Sequence, residues 1–355
     1  MHGIMAALEI LSTQTDAAEI QRWDDFVAKH PDGHLLQTSR WAALKERFGW
    51  QSERVALARK GELIAGAQVL LRKMPWGQSL AYVPKGPIVD WHDVSQVRPL
   101  LTAVQEVIRP HSAFLLKIEP DIADGPVTDL LLGSYGFRRG HPVQPRSTIQ
   151  IDLSEGQDAV LANMKQKWRY NVRLAGRKGV VVRSMTREDF PRFHAMNEET
   201  SLRDSFPVHH PTYYETAFEL FEPVGQSNWL LAEFEGQPLA AIVLFALGGK
   251  SWYMWGASSN RERKRMPNHA LQWAGMQWAA GKDCSIYDFW GIPDEIGVDP
   301  EQWSTNYVNQ QGDLWGVYRF KQGFGGQIVR MTGAWDLTLS SAGYRLYRLG
   351  RRIRN

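Results

Sequence analysis

Ala58-Arg-Lys-Gly-Glu-Leu-Ile-Ala-Gly-Ala-Gln-Val-Leu70 can be laid on Glu233-Phe-Glu-Gly-Gln-Pro-Leu-Ala-Ala-Ile-Val-Leu244, pairing Gly61 with Gly236, 175 residues further on and about half the chain away. Each stretch reads as a hairpin, with two apolar-rich strands joined at a short turn that contains glycine. In both copies another strand follows and carries a tyrosine, Tyr82 in the first and Tyr253 in the second. A repeat of half the chain predicts an α/β (α+β) protein of two related domains in tandem, each a mainly antiparallel sheet with packed helices. Chance similarity of two hairpins is the competing explanation.

The size agrees with two domains, since 355 residues exceed what one core comfortably fills. We place the boundary where Pro142 and Pro145 precede a strand over 147–152. The first domain is then 1–145, with a C-terminal helix over 335–355 packing back on it, and the second is 146–334. Fifteen tryptophans point to extensive aromatic packing or to clefts for flat ligands. A net charge of +3 is too small to indicate a nucleic-acid binder by itself. The single cysteine, Cys284, excludes an internal disulfide and a multi-cysteine metal site. It favours a reducing, cytoplasmic setting. Met1 to Thr15 lacks a basic start and holds Glu9, so it is a poor secretory signal. No uncharged apolar run approaches the ~20 residues of a spanning helix.

Along the chain, a strand over 8–12 and a helix over 17–30 lead to a second helix capped by Thr38 or Ser39. That second helix carries Trp41 and Leu44 at helical spacing and, on the same stripe, one cation, Lys45. Ser154-Glu-Gly-Gln157 fits a capping box for a helix over 158–177. Between 159 and 187 there is no acid, while Lys165, Lys167, Arg169, Arg173, Arg177, Lys178, Arg183 and Arg187 are all present. A field of one sign suggests a polyanionic partner, against the plainer alternative of a soluble face. The polar loop 202–210 holds Arg203, His209 and His210, and Pro211 opens a helix with Tyr213 and Tyr214. Ile286-Tyr-Asp-Phe-Trp-Gly-Ile-Pro293 reads as a buried strand in which Asp288 needs a partner. The tail over 344–354 is a basic amphipathic helix. Packing of its Tyr and Leu face on the body is favoured over contact with an anionic membrane surface.

The chemistry concentrates in Val317-Tyr-Arg-Phe-Lys-Gln-Gly-Phe-Gly-Gly326. Lys321 falls between Phe320 and Phe324, and the glycines give the backbone room to turn and to approach a ligand. An ammonium held against aromatic walls can stabilise a developing oxyanion. The plainer reading is a buried strand end whose lysine reaches water. No phosphate-binding Gly-rich loop, dinucleotide fingerprint, Gly-x-Ser-x-Gly elbow or metal-ligand cluster occurs, and Cys284 has no neighbouring histidine. What remains suits transfer between two large anionic substrates by positioning and charge stabilisation.

Leu36-Gln-Thr-Ser-Arg-Trp41, Tyr82-Val-Pro-Lys-Gly-Pro-Ile-Val-Asp90, Met164-Lys-Gln-Lys-Trp-Arg-Tyr-Asn-Val-Arg173, Tyr253-Met-Trp-Gly-Ala-Ser258, Tyr287-Asp-Phe-Trp-Gly-Ile-Pro293 and Tyr318-Arg-Phe-Lys-Gln-Gly-Phe-Gly325 together resemble the FemABX family, in its order and over most of the chain. These are aminoacyl-tRNA-dependent peptidyltransferases that build peptidoglycan interpeptide bridges on two tandem acetyltransferase-like (GNAT) domains. The short helix after Pro211 is similar to the members without a coiled-coil arm. The resemblance implies attack of a diamino-acid amine of a muramyl-pentapeptide precursor on the ester of an aminoacyl-tRNA, with no cofactor and no metal. It assigns Lys321 to the oxyanion, Phe320 to the aminoacyl end and Lys45 to the precursor diphosphate, with Arg203 as its partner. Tyr82, Asp90, Tyr213 and Tyr253 would line the precursor cleft. Lys165, Lys167, Arg169 and Arg173 would meet tRNA phosphates, and DNA is not expected as a partner. Two other readings stay open: a GNAT-like N-acyltransferase using acyl-CoA, and a non-enzymatic anion-binding protein.

Overall fold

The computed structural model describes residues 8–12, 16–204, 208–307, 310 and 314–352. The leader reading at 1–7 and 13–15, loop residues 205–207, 308–309 and 311–313, and the end of the tail helix lie outside them. The chain divides into two units, one of residues 1–144 with 331–355 and the other of residues 145–330.

The first unit contains β1 (Leu8–Ser12), β2 (Gln51–Arg59), β3 (Glu62–Lys73), β4 (Ser79–Val83), β5 (Ala113–Ile118), β6 (Arg138–Arg139) and, from the far end of the chain, β14 (Trp335–Thr338). The second contains β7 (Ser147–Asp152), β8 (Val181–Ser184), β9 (Ser227–Phe234), β10 (Gln237–Leu247), β11 (Lys250–Ser258), β12 (Ile286–Gly291) and β13 (Gln327–Arg330). The two sheets run β1-β2-β3-β4-β5-β14-β6 and β8-β9-β10-β11-β12-β7-β13. They match position for position. Both are antiparallel except at one place, β4 beside β5 in the first and β11 beside β12 in the second. The hairpin similarity is therefore a repeat of whole folds.

The two hairpin turns are built alike. Lys60-Gly61 has φ of 54° and 80°, and Glu235-Gly236 has 51° and 74°. Positive φ at both central residues is the turn that matches the twist of a two-residue hairpin, and glycine at the second position makes it cheap. In the first unit, Val97, Leu101 and Val104 of the helix Val94–Ile108 pack on Val55, Leu57 and Val69. In the second, Leu271 and Met276 of the helix Pro267–Ala280 pack on Ile242, Leu244 and Phe289.

Three expectations are corrected. The segment expected to be helical from 335 begins as strand β14, and only Ser341–Arg352 is helix. Its place between β5 and β6 is fixed by a buried ion pair, Lys117 Nζ to Asp336 Oδ1 at 2.6 Å. The helix expected over 158–177 is two helices, Gln157–Asn163 and Gln166–Arg177. The break at Met164-Lys165 lets Lys165 N donate to Gly323 O at 2.9 Å. Ser154 forms no capping box, because its hydroxyl turns back to Asp152 Oδ1 at 2.6 Å and Gly156 is the N-cap.

Candidate functional site

The parallel ladder between β11 and β12 lasts three residues, from Lys250↔Ile286 to Trp252↔Asp288. Beyond it β11 stays with β10 and β12 stays with β7, so a gap opens between them. Lys321 fills this gap. It ends the helix Trp315–Lys321, so the run around it is helical and not a strand end. Its Nζ donates to Gly291 O, the last residue of β12, at 2.7 Å. The same Nζ stands 5.7 Å from the ring centre of Tyr253 on β11. The residue is 4% exposed, which rules out a snorkelling lysine. Burial lowers its pKa to about 7, and the nearby Asp288 carboxylate opposes that shift.

Asp288 is well supported. Thr148 Oγ1 and Trp290 N both donate to its Oδ1 at 2.6 Å, and Gln150 Nε2 donates to its Oδ2 at 2.9 Å. Three donors stabilise the charged form of a buried carboxylate.

The glycines after Lys321 approach the protein's own chain. A Cβ at Gly323 would lie 2.0 Å from the indole of Trp168, and at Gly325 2.6 Å from Asn163 O. One at Gly326 would lie 2.5 Å from Gln150 O. Their role here is to seat the Lys321 segment, not the expected ligand contact. Trp168 completes the seat by donating from Nε1 to Phe320 O at 2.9 Å. Phe320 packs edge-on against Phe324 at 5.1 Å and against His269 at 5.2 Å. The ammonium thus stands by the Tyr253 ring, while Phe320 and Phe324 build a wall with His269. Asn171 Nδ2 lies 3.2 Å from His269 Nε2, both residues buried. Burial, and then Lys167, lower the His269 pKa to about 4, so the ring is neutral at ordinary pH. Sequence reasoning missed His269, because a lone histidine on an apolar helix looks like core.

In the first unit, Lys45 Nζ lies 5.4 Å from the Trp41 ring centre, and Arg72 lies 5.4 Å over Trp50. Burial first and Arg72 second lower the Lys45 pKa to about 8. Two cations beside two indoles can receive an anion. Arg72 had no signal in the sequence beyond its charge on a strand. Trp50 leads on to Tyr82 at 6.4 Å. Tyr82 itself is buried, and its hydroxyl contacts Glu119 Oε2 and accepts from Gln144 Nε2 at 3.1 Å. Burial raises its pKa well above the usual tyrosine range, with the Glu119 charge adding to the effect. Burial also raises the Glu119 carboxyl, although Val143 N donates to it at 2.6 Å. Asp90 is exposed and accepts from His92 N at 3.0 Å in a turn.

Arg203 grips the end of β11. Its Nη1 donates to Ser258 O at 2.9 Å and its Nη2 to Ser258 Oγ at 3.1 Å. Tyr213 is buried and stacks on His209 at 4.0 Å, with Trp255 edge-on at 5.9 Å. His209, read as a plain loop residue, is therefore part of an aromatic box. Lys165 at the N-cap of the basic helix, and Lys167 and Arg173 on it, are exposed. Arg169 turns inward, and its Nη1 donates to the carbonyls of Ala162 and Met164, each at 2.6 Å. It caps the preceding helix instead of facing solvent. Cys284 is buried, its thiol pushed up to about 11 by burial and Asp283, which agrees with an inert role.

The sequence matches the FemAB family over residues 18–124, 134–235 and 226–352. It is 27% identical to the lipid II:glycine glycyltransferase of Staphylococcus aureus (strain USA300), covering 92% of this chain and 93% of that protein. The crystal structure of FemX superposes with a TM-score of 0.83 at 24% identity, covering 95% of this chain and 99% of that one. A tandem GNAT protein from the clavulanic acid biosynthesis pathway gives 0.55 at 11% identity, over 94% and 98%. The fold is thus the tandem acetyltransferase-like one, and with the family match over most of its length, the chain belongs to the FemAB family.

Proposed function

We propose that this protein transfers an amino acid from aminoacyl-tRNA to the side-chain amine of the diamino acid in a muramyl-pentapeptide precursor. That it is an aminoacyltransferase of peptidoglycan bridge formation follows from its family and the glycyltransferases related to it. The proposal concerns the donor, the acceptor and the residues that handle them.

The observation that carries it is Lys321, a buried cation in the gap between β11 and β12. An ammonium has three donors, and Gly291 O takes one, which leaves donors for a developing oxyanion. The acceptor amine attacks the ester carbonyl carbon, and the new C–N bond pushes the carbonyl electrons onto oxygen beside Lys321. The C–O bond to the 3′-terminal ribose then breaks, and the ribose oxygen takes the proton that the amine loses. Negative charge at the oxyanion raises the Lys321 pKa during the reaction, so a group near 7 at rest becomes fully protonated when it is needed.

Phe320, seated by Trp168 and His269, positions the aminoacyl group. Lys45, beside Trp41, binds the precursor's diphosphate. Asp90 and Tyr82 in the first unit, and Tyr213 and Tyr253 in the second, are each assigned to contacts with the precursor. Lys165, Lys167 and Arg173 are the surface for tRNA phosphates, while Arg169 supports their helix from inside.

The deciding experiment pairs the protein and a muramyl-pentapeptide acceptor separately with charged tRNA and with acyl-CoA. Product with charged tRNA alone is expected. Product with acyl-CoA alone would replace this reading by a GNAT-like acyl transfer, and product with neither would leave an anion-binding role.

A further inference from the structure

The helix Ser341–Arg352 meets the rest of the first unit through Gly343, Tyr344 and Tyr347. Gly343 sits against the Phe114 side chain, where an added Cβ would lie 2.5 Å from Phe114 Cβ. Tyr347 packs at a tilt against Phe114 at 5.7 Å, and Tyr344 donates to Asp336 Oδ2 at 3.3 Å. Residues 343, 344 and 347 share the inner face. The expectation that the leucines pack with the tyrosines does not hold. Leu346 is 47% exposed and Leu349 55% exposed. They lie three residues apart on the outer side, next to exposed Arg345 and Arg348. From Leu337 to Asn355 the sequence holds five arginines and no acid.

An exposed leucine pair on a packed helix has lost the reason that normally puts leucine on a helix. A purely soluble face would carry mixed charges there, and a nucleic-acid surface needs cations but gains little from aliphatic side chains. Leucines flanked by arginines are what a bilayer surface takes: aliphatic groups enter the acyl boundary while guanidinium groups meet anionic headgroups.

We propose that the outer face of the helix Ser341–Arg352, centred on Leu346 and Leu349 with Arg345 and Arg348, is a docking surface for an anionic lipid bilayer. The attachment is peripheral and reversible, since one short helix with two leucines gives modest affinity. Among the described residues no helix is long and apolar enough to cross a membrane. The surface stands independently of the reaction proposed above.

The test is co-sedimentation of the full chain with vesicles of phosphatidylcholine alone and of phosphatidylcholine mixed with phosphatidylglycerol. Wild type is expected to sediment with the mixed vesicles and not with the neutral ones. Leu346→Ser with Leu349→Ser is expected to weaken binding by about tenfold while retaining the unfolding temperature. Arg345→Gln with Arg348→Gln should weaken it by a similar factor and flatten the salt dependence. Transfer to a water-soluble acceptor should be unchanged in the leucine variant. Equal sedimentation of wild type and the leucine variant would overturn the proposal and leave a purely electrostatic surface, RNA included. No sedimentation of wild type with mixed vesicles would overturn it as well.

Discussion

Lys321 Nζ and Gly291 O are 2.7 Å apart, joining the end of a helix to the end of a strand that has already parted from its neighbour. The pairing brings a buried amine to the place where the ladder between β11 and β12 ends. A leucine would fill the gap more cheaply, because a buried ammonium loses its hydration. Its presence is explained by chemistry more readily than by packing.

Lys321→Ala is expected to lower the chemical step by ~10²–10³, as for loss of an oxyanion donor. Precursor KM should change little. Single-turnover rates with charged tRNA decide the matter; a rate equal to wild type would remove Lys321 from the mechanism.

The same residue should make stability depend on pH. The folded-state pKa is about 7, below the 10.5 of an unperturbed lysine. Between those values the unfolded chain holds a proton that the folded chain has released, so folding stability rises with pH there. Relative to Lys321→Met, wild type should gain up to about 1.4 kcal/mol per pH unit across this window. Below pH 7 the destabilisation of wild type by its buried charge should level off at its largest. Urea unfolding of both proteins from pH 6 to 10 measures it, and parallel curves would mean that the amine is not buried.

Asp288→Asn tests the charge behind Lys321. Asparagine can keep its acceptor oxygen toward Trp290 N but loses the negative charge that favours the ammonium. The pH at which activity declines on the alkaline side should fall by about one unit. An unmoved profile would show that Asp288 serves only its hydrogen bonds from Thr148, Gln150 and Trp290.

Lys45→Ala should mainly raise the KM for the precursor, with turnover largely retained. Arg72→Gln should raise the Lys45 pKa above about 8, because the like charge that helps depress it is gone. A fall in turnover alone for Lys45→Ala would refute diphosphate binding at this lysine.

Gly323→Ala forces a methyl group into the Trp168 indole, at a Cβ position 2.0 Å from ring atoms. A loss of about 1–3 kcal/mol is expected, as for overpacking of a full site. Activity should fall further than stability, because Phe320 and Lys321 move with the segment. Trp168→Phe keeps an aromatic plate but removes the donor to Phe320 O. It should affect turnover more than the unfolding midpoint.

What the sequence determined by itself was the set of local and periodic features. The turns at Gly61 and Gly236 require positive φ, and the 175-residue spacing between them carries the repeat, so the tandem fold was legible without coordinates. Lys321 stood out as a candidate too, because a lysine set among aromatics and glycines is chemically odd wherever it falls. Tertiary structure decided which groups surround that lysine. Tyr253, Asp288, Gly291 and His269 come from two strands and a helix distant in sequence, and only the parting of β11 from β12 brings the first three to one amine. It also decided that Arg169 faces inward and that Leu346 and Leu349 face outward. Sequence spacing places residues on one side of a helix, but whether that side meets protein or solvent depends on contacts that no single segment encodes.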